Sequence, residues 1–212
     1  VHSPVPGIVH RYADRVLFLV SDYCASYCRY CTRSRRVGRR HSDAKTLEER
    51  WSAGVAYIES NPQIRDILVS GGDPLILDDD RLDNLLTRLR EIPHVEIIRV
   101  GTKAPLVLPQ RITPSLLKIL GKHQPLWMSL HCTHPDELTA EVEQALSMLA
   151  DAGIPLQSQT VLLAGINDRA GTLKTLFQGL LRLRVRPYYL FQCDPVAGSE
   201  HFRVPVKEGL KI

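Results

Sequence analysis

The sequence contains no apolar run near the roughly 18 residues that a membrane-crossing helix needs, so no membrane partner is expected. Nor does it show a charged-then-apolar leader ending in small residues, which argues against secretion. No linker, low-complexity tract or internal repeat breaks its 212 residues, and a single domain over residues 1–212 is expected. A strong charge of one sign is missing too: 27 Lys and Arg face 23 Asp and Glu, for a formal net charge of +4. So mild an excess does not predict a nucleic-acid binder, though it leaves room for anionic ligands. Composition argues against disorder, because 44% hydrophobic residues can offset the entropy of ordering the chain.

The cysteines do not make a disulfide framework. Such a framework calls for an even count spread along a small secreted chain, and here there are five. Three of them, Cys24, Cys28 and Cys31, crowd into eight residues. Thiols this close read as ligands in a reducing compartment, and the cytoplasm is the expected location. Cys132 and Cys193 stand apart and read as small buried residues without metal.

Short apolar runs alternate with helix-like segments along the whole chain. The spacing predicts strands over 16–21, 67–70, 95–101, 126–131, 156–163 and 187–192. Between them it predicts helices over 44–60, 80–92, 113–122, 135–152 and 168–184, with another starting near Val206. Gly153 is the expected stop of the fourth helix. Near-continuous apolar strands alternating with amphipathic helices imply a parallel α/β sheet with right-handed crossovers. Periodicity alone leaves open whether six such units curl into a partial barrel or spread into a doubly wound sheet. The sequence stops at Lys211 and Ile212 within an apparent helix start, so a fragment of a longer chain is expected.

The cysteine cluster follows the first parallel strand directly, at the end where such proteins carry their active-site loops. Its spacings let one compact loop aim three sulfurs at one centre. A closed zinc site would need a fourth ligand, for which His41 is the nearest candidate at no usual finger spacing. Three thiolates on a four-iron cluster instead leave one iron open to a small molecule. Farther along, Ser70-Gly71-Gly72-Asp73 ends the second strand with glycines that permit close backbone approach and a carboxylate that can receive an ammonium.

Cys24-xxx-Cys28-x-Tyr30-Cys31 resembles the motif of the radical S-adenosylmethionine (radical SAM) enzymes, and Ser70 to Asp73 resembles their glycine-rich motif for the cofactor's amino group. The resemblance narrows to the lysine 2,3-aminomutase family. It is carried by His10 to Arg15, Thr32-Arg33 after the cysteines, Ile98 to Thr102, Pro109 to Ile112, Ala164 to Asp168, Arg186 to Tyr189 and Gln192 to Asp194. It implies an α/β fold of the partial (βα)6 TIM-like barrel type with parallel strands. It implies that Cys24, Cys28 and Cys31 hold a [4Fe-4S] cluster whose open iron binds S-adenosylmethionine. Tyr30, Gly71, Gly72 and Asp73 would line that cofactor, with His131 and Gln159 as further candidates. Arg11, Tyr12 and Arg15 would contact the phosphate of pyridoxal 5'-phosphate, to which two forked guanidiniums and a hydroxyl are suited. Arg33 would clamp the substrate's α-carboxylate, and Asp194 would hold its distal ammonium.

The implied activity is a radical isomerisation that moves the α-amino group of L-lysine from C2 to C3. The implied partners are a small amino acid substrate, a one-electron reductant of the flavodoxin or ferredoxin type, and a second copy of the chain in a homo-oligomer. An arginine or glutamate 2,3-aminomutase, or a β-lysine-forming enzyme serving elongation factor P, would use the same chemistry. Asp194 favours a cationic distal group over glutamate. A metal-containing RNA-binding module is the reading from another class. The arginine run from Arg33 to His41 suggests it, and the lack of interleaved aromatics opposes it. Two features depart from the family. The glycine-rich segment carrying the lysine that anchors pyridoxal phosphate is absent, as is the partner of Asp194. Arg169 also stands where characterised members have a zinc-binding cysteine, which puts an intersubunit zinc in doubt.

Overall fold

The computed structural model describes residues 2–38 and 44–212. The order of elements is β1 (Ile8–Tyr12), β2 (Arg15–Ser21), α1 (Ala44–Glu59), β3 (Asp66–Gly71), α2 (Asp79–Arg90), β4 (Ile97–Thr102), α3 (Ala104–Val107), α4 (Pro114–Lys122), β5 (Leu126–His131), α5 (Ala140–Asp151), β6 (Leu156–Leu162), α6 (Ala170–Arg182), β7 (Val185–Gln192) and α7 (Val206–Gly209). The seven strands form one sheet in the order of the chain. From β2 to β7 every neighbouring pair is parallel.

That order decides between the two architectures that periodicity leaves open. A doubly wound sheet reverses its strand order at a switch point, whereas here each crossover steps to the next strand in the same direction. The helices therefore cover one face and the sheet curls away from them, as in a barrel. β1 and β7 are not paired with each other, so the barrel is partial.

Local chemistry explains the elements. In α2, Asp78 caps the N-terminus by accepting from the Arg81 N–H at 2.8 Å, Asp79 and Asp80 fill the first turn, and Arg88 and Arg90 fill the last. Each choice complements the helix dipole. Leu82, Leu85, Leu86 and Leu89 recur on one face of this helix and are fully buried in the main core. Truncating any one of them to alanine would cost about 2–5 kcal/mol. Gly153, with φ of +76°, stops α5 as expected.

Two expectations need correction, and a third, the helix starting at Val206, is met in short form. The parallel sheet carries an extra antiparallel strand, β1, which pairs with β2 through a tight turn closed by Tyr12 and Arg15. The turn residues Ala13 and Asp14 lack the Asn-Gly type of signature that marks a hairpin in sequence. The helix expected over 135–152 is two pieces, a 3-10 turn over Pro135–Glu137 and then α5, because Thr139 restarts the helix as a cap on the Val142 N–H. The helix near Val206 is a single turn. Among the described residues, no helix is long and apolar enough to cross a membrane.

Candidate active site

The C-terminal ends of the parallel strands surround a cavity of about 260 Å³. Cys24, Cys28, Cys31, Tyr30, Arg33, Gly71, Gly72, Asp73, His131 and Asp194 all line it. Residues far apart in sequence thus share one wall, because consecutive parallel strands all end at the same rim.

The cysteine loop is held from below. Trp51 on α1 donates its indole N–H to the Val20 carbonyl at 3.0 Å, and Arg50 grips Asp22 through two bonds of 2.9 and 2.8 Å. The three thiols stand near enough to influence one another. Burial first, then Asp73 and the other two thiols, push Cys24 up to about 12, against the pull of Arg33. A bound metal would reverse that balance, since a coordinating thiol gives up its proton outright. Among the described residues, no three His, Cys, Asp or Glu side chains are set closely enough to hold a single ion, as a mononuclear zinc site would need. A four-iron cluster asks for wider spacing, because each thiolate binds a different iron. His41, Arg39 and Arg40 lie outside the described residues. Burial, followed by Cys28, raises the Tyr30 hydroxyl above its ordinary value.

The Gly-Gly-Asp segment has a structural reason of its own. Gly71 has φ of +132°, and a Cβ there would lie 2.4 Å from the Ser21 carbonyl oxygen. One on Gly72 would lie 2.0 Å from the Tyr23 carbonyl oxygen. The close approach that demands glycine is made by the chain leaving β2. Asp73 is buried, and both its oxygens accept from the chain. Oδ1 takes the Leu75 N–H at 3.0 Å and the Thr102 hydroxyl at 2.6 Å, while Oδ2 takes the Lys103 and Ala104 N–H groups at 2.7 and 2.9 Å. Four donors occupy the roughly four acceptor positions of a carboxylate. Asp73 therefore ties the ends of β3 and β4 together at the rim.

Arg33 is the unusual group. One terminal nitrogen donates to the Ser70 hydroxyl at 3.1 Å, whereas Nε is buried with no hydrogen-bond partner. Among the described residues no carboxylate pairs with it, and burial lowers its pKa. His131 faces the same cations: burial first, then Lys103 and Arg33, hold it at about 4, so it is neutral at physiological pH. Asp194 closes its loop through its carbonyl, which accepts from the Val196 N–H at 2.8 Å and the Ser199 hydroxyl at 3.2 Å. Among the described residues its carboxylate has no partner. Gln159 is registered beside His131 on β6 but does not line the cavity.

The hairpin residues lie elsewhere. Arg15 begins β2, seven residues long, so about 20 Å of strand separates it from the cysteine end. Arg11 and Tyr12 are exposed, and Arg15 pairs with Asp14 at 2.9 Å. Arg15 sits on the sheet face of Leu19, which is registered to the cavity-lining Ser70, and its charge is felt by Tyr189. It therefore faces the concave side at the floor, near Arg99, which donates to Asp66 at 2.8 Å.

Two rim residues escaped sequence reasoning. Lys103 Nζ lines the cavity, pairs with Glu137 and donates to the His131 carbonyl at 3.1 Å. Burial alone would raise Glu137, but Lys103 and the N–H groups of Thr133 and His134 overturn this and hold it low. Lys103 was findable, since it directly follows a strand at the functional end of the sheet. Glu137 carried the three-residue spacing of a capping box with His134.

The sequence pattern of the radical SAM superfamily matches residues 18–176, from β2 into α6. The chain belongs to the radical SAM superfamily. That membership implies a [4Fe-4S] cluster and S-adenosylmethionine, and three thiols on one cavity wall are a fitting donor set for the cluster. The chain is also similar to an L-lysine 2,3-aminomutase of Acetoanaerobium sticklandii, 52% identical over 212 residues, covering 99% of this chain and 50% of that protein. A glutamate 2,3-aminomutase of Clostridioides difficile is 43% identical over 212 residues, covering 99% of this chain and 49% of its own. The chain thus spans about half the length of the curated relatives it matches. Among solved structures, Streptococcus suis SuiB bound to S-adenosylmethionine superposes with a TM-score of 0.68 at 17% identity, over 94% of this chain and 45% of that one. The last likeness concerns the radical SAM fold alone.

Proposed function

We propose that the whole protein is a radical SAM 2,3-aminomutase acting on L-lysine, with residues 1–212 as its radical SAM core. The observation that carries this reading is Arg33: a guanidinium drawn out of water, with Nε unpartnered, in the cavity the three thiols line. A charge buried without a counter-charge is costly, and an amino acid's α-carboxylate would supply both the charge and the missing acceptor. Asp194, an unpaired carboxylate on the same cavity, would receive a distal ammonium and would repel the distal carboxylate of glutamate.

In this reading Cys24, Cys28 and Cys31 hold the cluster. When bound and reduced, cluster and S-adenosylmethionine together supply a hydrogen-abstracting radical. Tyr30, Gly71 and Gly72 wall the cofactor, with Asp73 keeping that wall rigid, and His131 stays neutral beside it as a hydrogen-bonding rather than charged neighbour. Arg15, with Arg11 and Tyr12, would hold the phosphate of pyridoxal 5'-phosphate at the floor of the concave face. The lysine that anchors this group and the second partner of the substrate's ammonium are to be sought in the part of the whole protein that matches the relatives' remaining half. Three clustered thiols free of disulfides suit a reducing cytoplasm, and the half-buried thiol loop suits a one-electron reductant. Assembly with a second copy follows the family, and Arg169, at the N-cap of α6, offers zinc no thiol.

The test is anaerobic incubation of the whole protein with a strong reductant, S-adenosylmethionine, pyridoxal phosphate and L-lysine, L-arginine or L-glutamate. β-Lysine is expected from L-lysine. Formation of 5'-deoxyadenosine with no β-amino acid from any of the three would reject the aminomutase reading while keeping the radical SAM one.

A further inference from the structure

The cysteine loop turns one arginine inward and leaves three outside. Residues 23–38 carry Arg29, Arg33, Arg35 and Arg36 and not one Asp or Glu. The loop closes on itself: the Gly38 N–H donates to the Asp22 carbonyl at 2.9 Å, and those of Arg36 and Val37 to the Arg33 carbonyl at 2.8 and 2.9 Å. Gly38 lies flat against the Tyr27 ring, where a Cβ would stand 2.6 Å from it. The arginines therefore ride on a compact lobe with a defined shape. Arg33 reaches inward to Ser70, while Arg29, Arg35 and Arg36 are exposed. Among the described residues, none of these three pairs with a carboxylate.

The basic face continues across the chain. Arg29 approaches the His201 ring nitrogen at 3.4 Å and lies 5.2 Å from the centroid of Phe202, and Arg203 beside them is exposed. Glu200 is the one acid in residues 199–203. Several surface arginines elsewhere have acidic partners, as Arg65 has Glu96 and Arg88 has Glu48, whereas Arg29, Arg35 and Arg36 lie together on one loop without one among the described residues. Clustered cations without counter-charges repel one another and steer an anionic partner toward them. Arg29 is the residue after Cys28, so whatever docks here comes within a few residues of the thiols.

We propose that the outer face of this loop, centred on Arg29, Arg35 and Arg36, docks an acidic one-electron carrier protein. One electron leaves the carrier and enters the cluster held by Cys24, Cys28 and Cys31, with no bond made or broken. This rests on the radical SAM reading given above and adds to it the surface through which the electron enters. Nucleic acid is the competing partner of the same charge.

The test uses the whole, cluster-loaded protein with reduced flavodoxin as probe, following both complex formation and cluster reduction at about 50 and about 300 mM salt. The variants are the charge reversal Arg29→Glu, Arg35→Glu, Arg36→Glu and the neutral Arg29→Gln, Arg35→Gln, Arg36→Gln. The wild-type rate and affinity are expected to fall about 10-fold or more with salt, and the reversal to cost about 10- to 100-fold at low salt with the glutamines between. Iron content and reduction by photoreduced deazaflavin, a neutral small molecule, stay unchanged. A wild type indifferent to salt, or variants that match it, would overturn the proposal. So would a transfer RNA mixture that binds the wild type tightly and loses the variants while the flavodoxin response is unaltered. A wild type that holds no iron would remove the radical SAM reading and this inference together, whereas loss of the charge response alone removes only the dock.

Discussion

Arg33 at the mouth of the barrel and Arg90 at its floor are both withdrawn from water, and burial lowers the pKa of each. Their surroundings are opposite. Arg90 donates to the carbonyls of His123 at 2.8 Å and Glu96 at 3.2 Å, and also to that of Pro125, so it laces together the loops that enter β4 and β5. Among the described residues Arg33 has a single hydroxyl partner and a buried Nε with none. The floor's histidine, His123, likewise meets a carboxylate, Asp83, at 2.6 Å, whereas the mouth's His131 meets cations. Polar groups at the floor are satisfied by the chain and serve the fold. At the mouth Asp73 and the Lys103–Glu137 pair are satisfied in the same way, but Arg33 and Asp194 are left incomplete among the described residues, and a buried polar group left incomplete marks the place of a ligand.

The contrast predicts that substituting a satisfied group such as Arg90 costs stability and that substituting an incomplete one such as Arg33 costs function. The largest effect is expected from Cys28→Ser, which should reduce bound iron well below the about four per chain of a cluster and abolish 5'-deoxyadenosine formation, read by iron assay and chromatography. Next comes pH. His131 stays neutral in the folded chain down to about 4, while the unfolded chain takes up its proton near 6.5. Its contribution is therefore complete above about 6.5 and lost as pH falls to about 4, by up to roughly 3 kcal/mol. His131→Asn should flatten the unfolding free energy across that window, measured by denaturant titration. Arg33→Ala should lower kcat/KM for L-lysine about 100-fold, as expected for a lost charge-assisted pair, with melting temperature unchanged and partial recovery in Arg33→Lys. Arg90→Met should do the reverse, costing about 2 kcal/mol of stability by removing the side-chain donor from the His123 and Glu96 carbonyls and one donor from that of Pro125, while kcat/KM holds. An Arg33 variant that melts early, or an Arg90 variant that stays stable but inactive, would break the comparison.

What could be read in the sequence follows the range of the interactions involved. The strands β2 to β6 were legible because buried strands are near-continuous apolar runs, β7 because it carries a similar apolar run although most of it is exposed, and the cysteines because their spacing is local. Barrel or open sheet was not legible from periodicity, since strand order is a long-range property that resemblance supplied. β1 was hidden by a turn without glycine. Most partners of Asp73 were hidden for the same reason as strand order: beside the local Leu75 N–H, its donors are Thr102, Lys103 and Ala104, at the next strand's exit. Asp73 thus looks in sequence like a free receptor for an ammonium, and in the fold it is a rim fastening. Arg33 is the converse. Among the neighbouring Arg35 and Arg36 its spacing makes it one more surface charge; resemblance marks it as a carboxylate clamp, and the fold shows it turned inward to Ser70.

The central claim is that Arg33 is incomplete because it awaits a carboxylate. The most direct measurement compares kcat/KM for L-lysine and L-lysinamide, which lacks that charge, in the whole wild-type protein and in Arg33→Gln. The wild type should prefer L-lysine by about 100-fold and the variant should lose nearly all of that preference. A variant that still prefers L-lysine as strongly as the wild type would contradict the account.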